Sequence, residues 1–465
     1  MSTATFTALN SEETWLPEFD SAEGDSTLEI EDPGSPAFEA KEEFSLADIM
    51  RARDQGMGIR QTARHFQVVV NQLESQGLNL YRRTLLDPSD AQARVHYPRE
   101  FHSRDMIMLA SNNYLGLTSH PRVVKAAQQA AEQYGTGSGS APLLVGTFPI
   151  TRRLENQLAD LKHSEEACVF ASGYQTNVGV ISSLVRKNDL VVVDQLGHAS
   201  MWDGANMSDA KIRAFRHNDP EHLDRVLSRN HEAATKLVCI EGLYSMDGDT
   251  PPLVEICEVV KRHNALLLLD EAHSTGVLGA NGRGAAEHFG VEDQIDLHVG
   301  TLSKSLASCG GFVTGDSDLI NYIRYFARSA MFSAAPSPMV TSAASAAIEV
   351  LRSEPERRER LWENSRYMHS ELVRLGFHTS AEVSPIIPVI IGSMQGLQQM
   401  TLELHENNIC VNSVPYPAVP HGSERLRISL TANHTREQLA RAVEAIRVAG
   451  INAGLIRDAG KGGVI

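Results

Sequence analysis

The sequence predicts an α/β protein: a mostly parallel sheet flanked by helices, followed by a smaller C-terminal α+β domain. Two observations predict this. From about residue 106 to 338, short apolar runs alternate with helical stretches, and several runs lack polar alternation, as strands covered on both faces do. After Pro338 the pattern changes to long helices separated by a few short strands.

Each segment follows from its residues. Residues 1–45 carry twelve acidic side chains and one basic, Lys41, with Pro33, Gly34, Ser35 and Pro36 among them, and are expected to form a disordered, solvating segment. Residues 46–105 form a helical segment and an arm. Leu46, Ile49, Met50, Phe66, Val69, Val70 and Leu73 recur at helical spacing within 46–76, interrupted by Gly56 and Gly58. In the large domain, 106–338, strands are read at Ala167–Phe170, Leu190–Asp194, Leu237–Ile240, Ala265–Leu269, Leu297–Gly300 and Gly311–Thr314. Helices are read at 121–134, 152–162 and 252–263. In the small domain, 339–465, helices are expected at Met339–Arg352, at Arg357–Leu375 before Gly376, and at Arg436–Ala449. Short strands are expected near Ile386–Ile391 and Leu426–Leu430.

Composition narrows the functions. The chain has 465 residues, 42% of them hydrophobic, so it can bury a large core. No apolar stretch approaches the ~20 residues that span a bilayer, so no transmembrane segment is expected, while peripheral contact with a membrane stays open. No basic region followed by an apolar one opens the chain, so no signal peptide is expected. Cys168, Cys239, Cys257, Cys309 and Cys410 are scattered without a CxxC, which fits a reducing, cytoplasmic setting and no structural zinc. A net charge of −16 disfavours nucleic acid as a partner.

The chemistry centres on Lys304, in Gly300-Thr301-Leu302-Ser303-Lys304-Ser305, about one βα unit after Asp270-Glu271-Ala272-His273. A lysine amine can carry an aldehyde cofactor covalently. Asp270 closes the run Leu266–Leu269, at the strand end where α/β sheets bind ligands. A carboxylate there can bond a protonated pyridine nitrogen, and His273 can reach the ring's phenolic oxygen. Ser172-Gly173-Tyr174, between a strand and a helix, offers a phosphate cradle of backbone N–H groups. Thr301 and Ser303 add hydroxyl donors. Together these residues imply pyridoxal 5′-phosphate (PLP). His198, after the Leu190–Asp194 strand, can stack on its ring and meet a substrate carboxylate. Arg425 and Arg427 share one strand face, and spacing does not choose between them as the carboxylate anchor. Other motifs fail. His231-Glu232-Ala233-Ala234-Thr235 lacks the second histidine of a zinc protease, and Gly135–Ser140 is neither GxGxxG nor a P-loop, so no metal or nucleotide is expected.

Ser111-Asn112-Asn113-Tyr114-Leu115-Gly116-Leu117, His198-Ala199-Ser200, Glu241–Gly248, Asp270–Ser274 and Gly300–Lys304 occur in that order. As a set they resemble the α-oxoamine synthases, PLP-dependent acyltransferases, over about residues 80–455. The Ser303–Ser308, Ala327–Ala334 and Pro417–Pro420 segments are most similar to the bacterial serine palmitoyltransferase branch.

The resemblance implies a fold type I transferase with a seven-stranded sheet, built as a homodimer with shared active sites. Ser333 and Ala334 would reach the phosphate of the neighbouring subunit's cofactor. Asn112 and Tyr114 would line the substrate entrance, Glu241 and Ser245 would belong to the cofactor pocket, and Arg427 rather than Arg425 would anchor the carboxylate. The implied reaction is decarboxylative condensation of a small amino acid, serine favoured, with an acyl thioester such as palmitoyl-CoA, giving 3-ketodihydrosphingosine. Glycine or alanine, or a donor on an acyl carrier protein, stay open as alternatives. One departure bears on the donor: Ser140-Ala141-Pro142 stands where the family usually has Gly-Ser-Arg.

Overall fold

A computed structural model describes residues 56–75, 81–97, 102–416 and 418–457. The acidic segment 1–45, residues 46–55 and Pro417 lie outside the described residues.

Fourteen strands among the described residues form three sheets. The large sheet contains β4 (Glu166–Phe170), β5 (Leu190–Asp194), β6 (Lys211–Phe215), β7 (Lys236–Glu241), β8 (Leu266–Asp270), β9 (Leu297–Thr301) and β10 (Gly311–Gly315). Its order is β4-β10-β9-β8-β7-β5-β6. The pairs β6–β5–β7–β8–β9 are parallel, and β10 runs antiparallel to both β9 and β4. Every residue of β5, β9 and β10 is buried, which explains why β5 reads as an unbroken apolar run up to Asp194. Of the seven strands the resemblance implies, β6 is the one that was not located in the sequence. Its sequence Lys-Ile-Arg-Ala-Phe is charged and mostly exposed because it is the sheet's edge.

Helices cover both faces. The predicted stretches occur as Pro121–Tyr134, Pro149–Leu161 and Leu253–Arg262. Proline at the first turn starts the first two, where a missing N–H costs nothing. Pro338–Ser353, Glu356–Leu375 and Arg436–Asn452 form the C-terminal helices. The last has a capping box: Thr435 Oγ1 accepts from Gln438 N at 3.2 Å, and Gln438 Oε1 from Thr435 N at 3.0 Å. The predicted 46–76 helix occurs over Ile59–Ser75, where only Thr62 is buried.

Two expected boundaries meet continuous structure. The one at 105/106 falls inside β3 (Arg104–Met108). β3 joins β1 (Thr84–Leu85), β2 (Gln92–His96) and, from the C-terminal region, β12 (Ile409–Cys410), so the arm and the small lobe share a sheet. At 338/339, one apolar core runs from Leu154 and Val192 through Ile348 and Ile428. The third sheet, β11 (Ile386–Ile390), β14 (Arg425–Ser429) and β13 (Asn412–Val414), brings Arg427 towards the large sheet.

Candidate active site

Because β5, β7, β8 and β9 are parallel, their C-terminal ends lie along one edge, and that edge carries His198, Glu241, Asp270 and Lys304. A cavity of about 220 Å³ opens there. Its lining includes Gly173, Tyr174, His198, Glu241, Asp270, His273, Thr301, Ser303 and Lys304, all expected from the sequence. The volume lies below the ~300–1,000 Å³ of drug-sized ligand sites, and suits one small aromatic cofactor.

Lys304 sits in the turn joining β9 to β10. Leu302 N donates to Gly310 O at 2.9 Å and Ser308 N to Leu302 O at 2.8 Å, which closes the loop. Ala307 N reaches back to Lys304 O at 3.0 Å, with Ala307 held at φ +52°, a conformation costing a non-glycine residue roughly 1 kcal/mol. The Lys304 amine faces His273 Nε2 at 2.9 Å. Burial lowers it to about 8, against the opposing pull of Asp270 and Glu241. Buried His273 is held well below its usual range by burial and then by the Lys304 charge, so it is a neutral imidazole. Its Nδ1 meets Tyr114 Oη at 2.7 Å.

Asp270 is 5% exposed. One carboxylate oxygen accepts from Ala272 N at 2.9 Å and the other from Asn177 Nδ2 at 2.7 Å. The same amide donates to Ser200 Oγ at 2.9 Å, and that hydroxyl meets His198 Nδ1 at 2.7 Å. Asn177 and Ser200 thus set both the carboxylate and the imidazole, and sequence reasoning missed them. Asn177 lies inside the helix Gly173–Leu184, where nothing local distinguishes it from a packed polar residue. Behind Asp270, the fully buried Glu271 pairs with Lys162. Burial would raise its carboxyl, but Lys162 and His298 outweigh that and hold it at about 2.

The candidate phosphate cradle lies at the start of the helix Gly173–Leu184. Ser172 caps the helix Gly173–Leu184, its Oγ accepting from Gln175 N at 3.1 Å. A Cβ on Gly173 would come within 3.1 Å of Thr301, so only glycine leaves the backbone open there. Thr301 Oγ1 and Ser303 Oγ stand 2.8 Å apart beside it. Tyr174 Oη is tied to Asp203. An amine, a strand-end carboxylate, a neutral imidazole and a helix N-terminus with two hydroxyls together match the donor set PLP requires. Glu241 Oε1 is buried and meets no donor among the described residues, and burial together with Asp270 raises the Glu241 carboxyl to about 8.

The two arginines separate. Arg425 pairs with Asp247 at 2.7 Å, whereas no carboxylate lies within ion-pair distance of Arg427 among the described residues. Arg427 Nε donates to Ser245 O at 2.5 Å and Nη2 to Asn112 Oδ1 at 3.2 Å. Ser245 therefore holds Arg427 through its carbonyl and is not among the cavity's lining residues. Tyr114 differs from expectation: it is fully buried, behind His273, and lines no entrance in the single chain. Ser333 and Ala334 line a separate groove with Gly137–Ala141, away from the Lys304 cavity of the same chain.

Known proteins resemble this chain in sequence and fold. The model of the aminotransferase class I and II family matches residues 104–446. An 8-amino-7-oxononanoate synthase from Bacillus velezensis is 43% identical over 75% of this chain and 90% of its own length. A serine palmitoyltransferase from Sphingobacterium spiritivorum is 40% identical over 82% of this chain and 94% of its own. The solved PLP-bound serine palmitoyltransferase from S. paucimobilis superimposes with a TM-score of 0.82 at 35% identity, covering 86% of this chain and 100% of that one.

Proposed function

Because this chain belongs to the class I and II aminotransferase family and, within it, to the PLP-dependent α-oxoamine synthases, we propose that it condenses a small L-amino acid, serine first, with a long-chain acyl thioester. The products are an α-amino ketone, carbon dioxide and free thiol, with one proton taken up. The observation that carries this reading is the Lys304 amine beside His273, in one cavity with the clamped Asp270 carboxylate.

Bound PLP supplies a ring that stabilises negative charge at the substrate Cα. Lys304, Asp270, His273 and the Gly173–Thr301–Ser303 cradle are the groups that hold it. Arg427 takes the substrate carboxylate, and its link to Ser245 O and Asn112 fixes the guanidinium before substrate arrives. His198 closes the other side. The lowered Lys304 amine removes the Cα proton and later returns one.

Support for an apolar acyl chain comes from Pro142, at the position where the family usually carries arginine. Leu144 and Val145 follow it at 74% and 82% exposure, and they offer no cation to an acyl chain ending in a carboxylate. A second reading follows from the relatives named 8-amino-7-oxononanoate synthase. That product name requires a methyl-bearing amino carbon, hence alanine, and a distal carboxylate. We also assign a homodimer, in which Ser333 and Ala334 serve the partner's cavity, and either CoA or a carrier protein as the thiol.

The test is mass spectrometry of products from serine, alanine and glycine, each offered with palmitoyl-CoA and with an ω-carboxyacyl-CoA. A serine–palmitoyl amino ketone as the main product is expected. A dominant alanine product with the ω-carboxylate would replace the first reading by the second.

A further inference from the structure

His217, in the loop after edge strand β6, lies outside the cavity and has no part in the chemistry above. Its Nδ1 faces Asp194 Oδ1 at 3.0 Å and its Nε2 faces Asp249 Oδ2 at 2.9 Å. Two carboxylates accept from both ring nitrogens only if both carry protons, so the ring is an imidazolium. Although burial opposes it, the two aspartates raise its pKa to about 10. Tyr244 packs edge-on against it with ring centroids 4.4 Å apart. Asn218, at φ +51°, donates its backbone N–H to Asp194 Oδ2 at 3.1 Å and its side-chain amide to Asp249 Oδ2 at 3.0 Å.

The two carboxylates belong to different loops. Asp194 ends β5, is fully buried, and orders the run into His198: Leu196 N donates to its Oδ1 at 2.8 Å and Gly197 N to its carbonyl at 2.8 Å. Asp249 closes the turn after β7. Tyr244 N donates to Asp249 O at 2.9 Å and Gly248 N to Tyr244 O at 2.9 Å. Within that turn, Ser245 O grips Arg427. One cation thus pins the His198 loop to the turn that aims Arg427.

We propose that His217 is a positioning residue: clamped between Asp194 and Asp249, it fixes the spacing between His198 and the Arg427-holding turn, and so the grip on the substrate carboxylate. The carboxylate role rests on the function proposed above, and the clamp itself does not.

Two measurements on the cofactor-loaded protein test this. In His217→Phe, amide exchange is expected to rise at least tenfold both at 196–199 and at 245–248, with the β9–β10 pair unchanged. A rise in only one segment, or in neither, overturns the clamp. Amino-acid affinity, read from the cofactor's absorption, is expected to weaken about tenfold while the KM for acyl thioester stays within twofold. The single variant Asp249→Asn, which keeps His217 and can still bond Nε2 by offering its amide to a neutral ring, should retain most of the parent's amino-acid affinity. Unchanged amino-acid affinity with a lowered melting temperature would mean a purely structural residue. If the parent protein binds no small amino acid, the functional reading fails, while the exchange result still decides the clamp.

Discussion

Lys304 and Asn177 make the sharpest claims at the residue scale. A lysine amine lowered to about 8 accepts a proton only when neutral. Exchange of the substrate Cα proton into deuterated water, with amino acid alone, should therefore rise through about pH 8 and level off above it. A flat profile from pH 7 to 9 would remove Lys304 as the base. Lys304→Ala should show no turnover and no exchange. Asn177→Ala removes one charged hydrogen bond to Asp270 and the tether to Ser200. At roughly 1.5–3 kcal/mol for such a bond, kcat should fall about 10- to 100-fold with folding intact. A loss under threefold would contradict the clamp on Asp270. Lys304, Asp270 and His273 were legible because a strand end and a fixed interval mark them. Asn177, Ser200 and His217 were not, because their roles arise from side chains that meet across 23 to 93 positions of sequence.

Elements carry these residues to one edge. The helix Gly173–Leu184 presents its N-terminus to the cavity, and a side chain at Gly173 would press on Thr301. Gly173→Val should weaken cofactor retention at least tenfold, measured by absorbance after gel filtration, with little change in melting temperature. Retention equal to the parent would place the phosphate elsewhere. Apolar strands such as β5 and β8 announced themselves by composition, whereas β6 hid behind the lysine and arginine that protect an exposed edge. The sharing of one sheet by β3 and β12, about 300 residues apart in sequence, leaves no local signal, which is why the arm was read as a separate segment.

At the scale of the whole molecule, buried charge ties stability to pH. Glu271 is held at about 2, below its ordinary value near 4.5, so its contribution is present above 4.5 and is lost as pH falls through 2. Lys162→Met leaves that carboxylate buried without its cation and should cost about 3–5 kcal/mol at neutral pH, read by urea unfolding. The variant's loss of stability below pH 4.5 should be correspondingly shallower. His217 works in the opposite direction. Its raised pKa gives stability that is complete below about 6.5 and is lost as pH climbs through about 10, a dependence His217→Phe should lack. Among the described residues, no helix is long and apolar enough to cross a membrane.

The most direct measurement follows both leaving groups at once, using serine labelled with carbon-13 at its carboxyl group and palmitoyl-CoA. Labelled carbon dioxide and free thiol should appear in equal amounts, only with both substrates present, and not with Lys304→Ala. Labelled keto acid without thiol, or carbon dioxide without thiol, would show that the Lys304–Asp270 cavity performs a different reaction.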